Sequence, residues 1–139
     1  MTDAKRILIL NGPNLNLLGK RAPDVYGTKS FEEYFVKLQA TFPHLNLQVF
    51  QSNIEGEIVN KIQETQWDGM LLNAAGYSHT SVVIRDAVEA VDTPVVEVHI
   101  SNVAGRESFR HTSMITPVTV GCVFGFGLKS YEIALHYFQ

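Results

Sequence analysis

The runs Ile7-Leu8-Ile9-Leu10 and Met70-Leu71-Leu72 are apolar at every position, without the alternation of a half-exposed strand. Unbroken runs of this kind suit strands covered on both faces, as in a parallel sheet flanked by helices. Three more apolar runs rich in β-branched residues follow, so strands are expected at 7–11, 47–52, 69–73, 95–100 and 118–124. Segments of helical character separate them, near 30–41, 55–66, 80–91 and 130–138, with a short piece near 106–111. Alternation of strand and helix means right-handed βαβ units and helices on both sides of one sheet. A length of 139 residues, without internal repeat or linker, fits a single domain over 1–139.

The architecture expected is therefore α/β, a flavodoxin-like three-layer sandwich on a five-stranded parallel sheet. In such sheets the loops beyond the carboxyl ends of the strands build the ligand site. The strand-end residues here are Asn11, Ser52-Asn53, Asn73 and His99-Ile100-Ser101-Asn102. Arg21, Tyr26, His79, Arg106 and Arg110 are the next polar groups downstream. Solubility at strand ends explains part of this set but not its richness in amides, His and Arg. A small polyhydroxylated anion fits, with Arg and helix N-termini for a carboxylate and amides and His for hydroxyls.

The first strand empties into Leu10-Asn11-Gly12-Pro13-Asn14-Leu15-Asn16-Leu17-Leu18-Gly19 and then Lys20 through Gly27. Ordinary connections in α/β units are about 2–6 residues, so this loop is more than a connector. Arg21 and Tyr26 on its Gly- and Pro-punctuated part suggest a mobile lid at about 19–27. A free phenol ionises near pH ~10, and a nearby cation favours the phenolate. The bland alternative is an exposed Tyr26 packed on Pro23 beside a solvated Arg21.

Glu97 and His99, two apart on a strand, project to one face. Pairing with the imidazole offsets the cost of burying a carboxylate and fixes the ring tautomer. The pair either satisfies only itself or, with His99 at the strand's carboxyl end, acts as an oriented general acid. In Asn73 through Asp86, Ser78 or Thr80 is placed to cap a helix. His79 and Asp86, seven apart on that helix, would be ~10 Å apart along it, so Asp86 is expected either as a solvated charge or as a contributor to a neighbouring subunit's site. Arg106 and Arg110, spaced i,i+4, would share a helix face, holding either an anion or Glu107 between them.

Eleven basic and fourteen acidic residues give a net charge of −3, with no basic run for a nucleic-acid backbone. The single cysteine, Cys122, argues for a reducing compartment and reads as a buried inert thiol. No leader-like or membrane-spanning stretch occurs, so a cytoplasmic protein is expected. There is no P-loop and no G-x-G-x-x-G. Gly121 through Gly127 is glycine-rich but begins inside the last strand and reads as a close-packed turn. No spacing resembles a zinc site, no Ser or Cys sits on a nucleophile elbow, and every lysine falls at an edge, a loop or a helix surface. Acid–base chemistry without metal, nucleotide or covalent intermediate remains.

Over essentially its full length the chain resembles the type II 3-dehydroquinate dehydratases. The resemblance is carried by Leu10 through Gly19, Arg21 through Gly27, Asn73 through Asp86, Glu97 through Asn102, Arg106 through Arg110 and Gly125 through Glu132. It implies a cofactor-free conversion of 3-dehydroquinate to 3-dehydroshikimate by anti elimination. Tyr26 would be the base, Arg21 its phenolate partner, and Asn11 the holder of a water at the enolate. His99, oriented by Glu97, would protonate the leaving hydroxyl. Asn73, His79, Ile100, Ser101 and Arg110 would bind substrate, with Asp86 arriving from an adjacent subunit of a dodecamer built from trimers. The chain departs from the family pattern at Ala22 and at Ala104-Gly105. A flavodoxin-like binding or signalling module is the alternative, disfavoured because Asn11-Gly12 and Asn73 stand where a phosphoacceptor receiver needs acids.

Overall fold

The computed structural model describes residues 4–20, 24 and 29–139. Among the described residues five parallel strands run β1 (Lys5–Asn11), β2 (Leu45–Gln51), β3 (Gly69–Asn73), β4 (Val95–His99) and β5 (Gly121–Phe124), in the order β2-β1-β3-β4-β5. The α-helices lying wholly within the described residues are α1 (Phe31–Thr41), α2 (Glu55–Ile62), α3 (Val82–Ala90) and α4 (Lys129–Leu135), the last running into a 3₁₀ turn at His136–Phe138. This is the strand order of flavodoxin-like sheets. No helix among the described residues is long and apolar enough to cross a membrane.

The unbroken apolar runs follow from two cores. Ile7, Ile9 and Leu71 pack with Phe31, Tyr34 and Leu38 of α1 and with Tyr131, Ala134 and Leu135 of α4. Leu8, Leu10, Met70 and Leu72 face the other way, onto Ile58 and Ile62 of α2 and Ile84, Ala87 and Val88 of α3. Alternate residues of β1 and β3 thus serve opposite layers, which is why the interior positions of both strands are apolar throughout.

Several expected boundaries move. Pro117 sits in a 3₁₀ turn at Thr116–Val118 whose Val118 and Thr119 amides donate back to the Ile115 and Thr116 carbonyls, so the last strand begins only at Gly121. α2 stops at Ile62, short of residue 66. α3 is capped by neither Ser78 nor Thr80 but by Ser81, whose Oγ accepts from the Ile84 amide at 2.9 Å and donates to Glu55 at 2.6 Å. One hydroxyl therefore ends a helix and ties it to the start of α2. The expected short helix near 106–111 is two separate 3₁₀ turns, Val103–Gly105 and Ser108–Arg110, with Arg106 extended between them.

Candidate active site

The connections of β1 and β3 leave toward opposite edges of the sheet, so a crevice opens at their carboxyl ends, as at a topological switch point. Asn11 and Asn73 are register partners there. Between them stands the Tyr131 hydroxyl, donating to Asn11 Oδ1 at 2.7 Å and accepting from Asn73 Nδ2 at 2.9 Å. Burial pushes the Tyr131 phenol well above its ordinary pKa, so it is a fixed neutral donor. Asn73 Oδ1 accepts from the Ala75 amide at 3.1 Å, beside a left-handed Ala75 (φ 53°). Non-glycine residues rarely visit this region, and such strain clusters at functional sites. Gly12 has no room for a side chain: an added Cβ would lie 2.8 Å from the Ala74 carbonyl oxygen. That contact holds the two loops together, with the Gly12 amide donating to Asn73 O at 2.7 Å.

Glu97 and His99 do share one face of β4. His99 Nε2 lies 2.5 Å from Glu97 Oε2, and both side chains are buried. A carboxylate only accepts, so Nε2 carries the proton, leaving Nδ1 as the ring nitrogen that Glu97 does not engage. Ser113 Oγ donates to the same carboxylate at 2.8 Å, and Thr116 Oγ1 donates to its other oxygen. Burial alone would raise the Glu97 pKa. Hydrogen bonds from His99, Thr116 and Ser113, with the His99 charge, overcome it and hold the carboxyl below its ordinary range. Glu97 is therefore a carboxylate that fixes the tautomer and orients the ring.

A cleft of about 150 Å³ lies against His99. Asn73, His79, Ile100, Ser101 and Arg110, all singled out by the sequence, line it together with Arg106. His79 stacks 6.3 Å from His99, its Nδ1 donating to the Thr112 carbonyl at 2.8 Å, which leaves Nε2 as an acceptor. Arg106 and Arg110 meet across Glu107 rather than along a helix face, at 3.8 Å and 3.1 Å. Arg106 also donates to Ser101 Oγ at 3.2 Å. The Arg110 hydrogen bond lowers the Glu107 pKa, but this pairing is solvent-exposed and screened. Both arginines retain a face on the cleft.

Asn11 lines an adjoining hollow of about 200 Å³, with Leu15 forming the wall between the two. Asp86 is exposed on α3, outside the cleft, and is not helical with His79, which ends a separate 3₁₀ turn at Ala75–His79. Arg21 and Tyr26 lie outside the described residues. The sequence missed Tyr131, Ser113 and Thr116. The first was disguised as an apolar helix position, and the other two come from a loop whose path only the fold defines. Cys122, expected as an inert buried thiol, is half-buried beside Glu97, and burial and that carboxylate push it up to about 12.

The family profile described as dehydroquinase class II matches residues 5–139. The chain belongs to the class II dehydroquinase family. A 3-dehydroquinate dehydratase of an Exiguobacterium species is 50% identical over 133 residues, covering 94% of this chain and 92% of that one. A 3-dehydroquinate dehydratase of Campylobacter jejuni is 52% identical over 134 residues, covering 94% of this chain and 84% of that one. The crystal structure of a type II dehydroquinase from Butyrivibrio crossotus superposes with a TM-score of 0.91 at 41% identity, covering 96% of this chain and 97% of that one. Membership of this dehydroquinase family is thus supported along the whole sheet and every loop of the cleft.

Proposed function

We propose that this chain is a hydro-lyase converting 3-dehydroquinate to 3-dehydroshikimate and water. The observation that carries the reading is the Glu97–His99 pair, buried at the carboxyl end of β4 and opening on a cleft with two arginines. Tyr26, as phenolate beside Arg21, removes the C2 proton, and the electron pair moves into an enolate. A water held near Asn11 stabilises the enolate oxygen. As the enolate collapses, the C1–oxygen bond breaks and His99 gives its proton to the departing hydroxyl, which leaves as water. The proton on Tyr26 then returns to His99 through solvent, and the catalyst is restored without a cofactor. The closed lid at about 19–27 would exclude water and strengthen the Arg21–Tyr26 interaction. Asn73, His79, the Ile100–Ser101 backbone and Arg110 bind the hydroxyls and carboxylate.

The chain acts in the cytoplasm as one catalytic domain over residues 1–139, assembled as trimers grouped into a dodecamer, with Asp86 reaching a neighbour's cleft. Its exposure on α3 supports that placement. Mixed oligomers of Asp86→Ala and His99→Ala chains should regain turnover that each variant alone lacks. Absence of rescue despite subunit exchange would count against a shared site.

The deciding experiment mixes the protein with 3-dehydroquinate and a chelator and follows ultraviolet absorbance of the conjugated enone. Turnover in the parent, lost in Tyr26→Phe and in His99→Ala, supports the assignment. A folded oligomer without turnover would overturn it and favour a binding module.

A further inference from the structure

Cys122 stands in register with Glu97 on the neighbouring strand, and His99 is two residues beyond Glu97. In a parallel sheet those three side chains leave the same face. One ligand atom from each lies within 4.8 Å of the other two. A hollow of about 410 Å³ reaches all three and shares His79 and Arg110 with the cleft, so the cluster has a path to solvent.

Thiolate, imidazole and carboxylate are the donor types that zinc takes. A tetrahedral zinc with bonds of about 2.0–2.3 Å sets its ligand atoms roughly 3.3–3.7 Å apart. The Glu97–His99 contact of 2.5 Å would open by about that difference, and the sulfur would close in. Charge favours the exchange. A carboxylate and a thiolate carry two negative charges and a neutral imidazole none, so a divalent cation leaves the buried cluster neutral and avoids the cost of burying net charge. Ser113 and Thr116 already hold the carboxylate as an outer shell would.

We propose that Glu97, His99 and Cys122 form an inhibitory site for a divalent zinc-type cation. On binding, the thiol releases its proton to water as the metal–sulfur bond forms. The His99 Nε2 proton moves to Nδ1 when the ring is neutral, or to solvent when it is charged. The metal takes the place of Glu97 in orienting the ring and bars the imidazolium, so proton donation stops. Water completes the coordination. The inhibition rests on the reading of His99 as the acid; the binding does not.

The test uses the full chain in its native assembly, stripped of metal by a chelator. Cobalt(II) is the first probe. The parent should show a thiolate-to-cobalt charge-transfer band that is missing from Cys122→Val and Cys122→Ala. Zinc is then titrated into the turnover assay, where it should inhibit the parent reversibly, with chelator restoring activity. Changes to a ligand's outer partners cost ~10–100-fold in affinity, so losing the ligand itself should weaken zinc inhibition by about 100-fold or more. Both cysteine variants should keep their basal turnover. A cobalt spectrum without the band, or zinc inhibition that is present and equally strong in parent and variants, would overturn the site. A thiolate band with undiminished turnover would keep the site and break the assignment of His99 instead.

Discussion

On one face of β4, Val96 and Val98 lie in the core with α1 and α4. On the other, between Val95 and the edge of the cleft, the same strand carries Glu97 and His99. All four residues are buried, and each stands next in sequence to one that faces the opposite side. The first face needs shape and hydrophobicity alone. The second had to bring its own polar partners, and the segment holding Ser113 and Thr116 covers Glu97 where a helix would otherwise pack. Burial on a strand is therefore compatible with chemistry only where hydroxyls arrive to satisfy it.

The sharpest way to break this contrast is to truncate one residue on each face. His99→Ala should lower kcat by about 10²–10⁴-fold, the range general acid catalysis supplies, and should also lower the urea midpoint, because Glu97 stays buried without its imidazole. Val98→Ala should cost about 2–3 kcal/mol of stability through lost burial and a cavity, with kcat kept in the surviving folded protein. Equal losses of activity in the two variants would erase the distinction.

Glu97→Gln probes the polar face without removing volume. Turnover should fall by about 10²-fold or more, because one accepting oxygen becomes an amide donor that competes for the ring's tautomer and the negative charge beside the ring is lost. The same substitution changes the acid limb of stability. With the folded pKa of Glu97 depressed, the unfolded chain binds the extra proton first as pH falls. The stabilisation is full above the ordinary carboxylate value of ~4.3 and is lost as pH falls through the lower folded value. Urea midpoints recorded against pH should therefore slope more steeply in that window for the parent than for Glu97→Gln.

A smaller effect is expected at the crevice. Tyr131→Phe leaves the Asn11 and Asn73 amides without their shared hydroxyl. The cost should be about 1–3 kcal/mol in denaturant unfolding, with KM rising as Asn73 loosens. Smallest is Ser81→Ala, which removes the α3 cap and its bond to Glu55. About 1 kcal/mol of stability should go, read from the thermal midpoint, with turnover unchanged.

Much of the fold was legible because its signals are local. The five strands stand where the apolar runs stand, and their parallel arrangement followed from the lack of alternation. The errors sit where one residue overrides a run: Pro117 delays β5, and Ser81 rather than Ser78 or Thr80 starts α3. The i,i+4 spacing of Arg106 and Arg110 suggested a helix that does not form. Asn102 through Arg110 instead takes two short turns, and Glu107 reaches both guanidiniums.

What the sequence determined by itself is the sidedness of its strands, the pairing of Glu97 with His99, and the convergence of Asn73, His79, Ser101 and Arg110 at one edge. These depend on backbone geometry and on the direction of parallel strands, both properties of short segments. Only the tertiary structure decided that Tyr131 bridges Asn11 and Asn73, that Ser113 and Thr116 close over Glu97, and that Cys122 comes to rest beside it. Strand register, helix docking and loop path minimise the free energy of the whole chain at once, because every buried polar group must find its partner in the same packing. No window of neighbouring residues contains that condition.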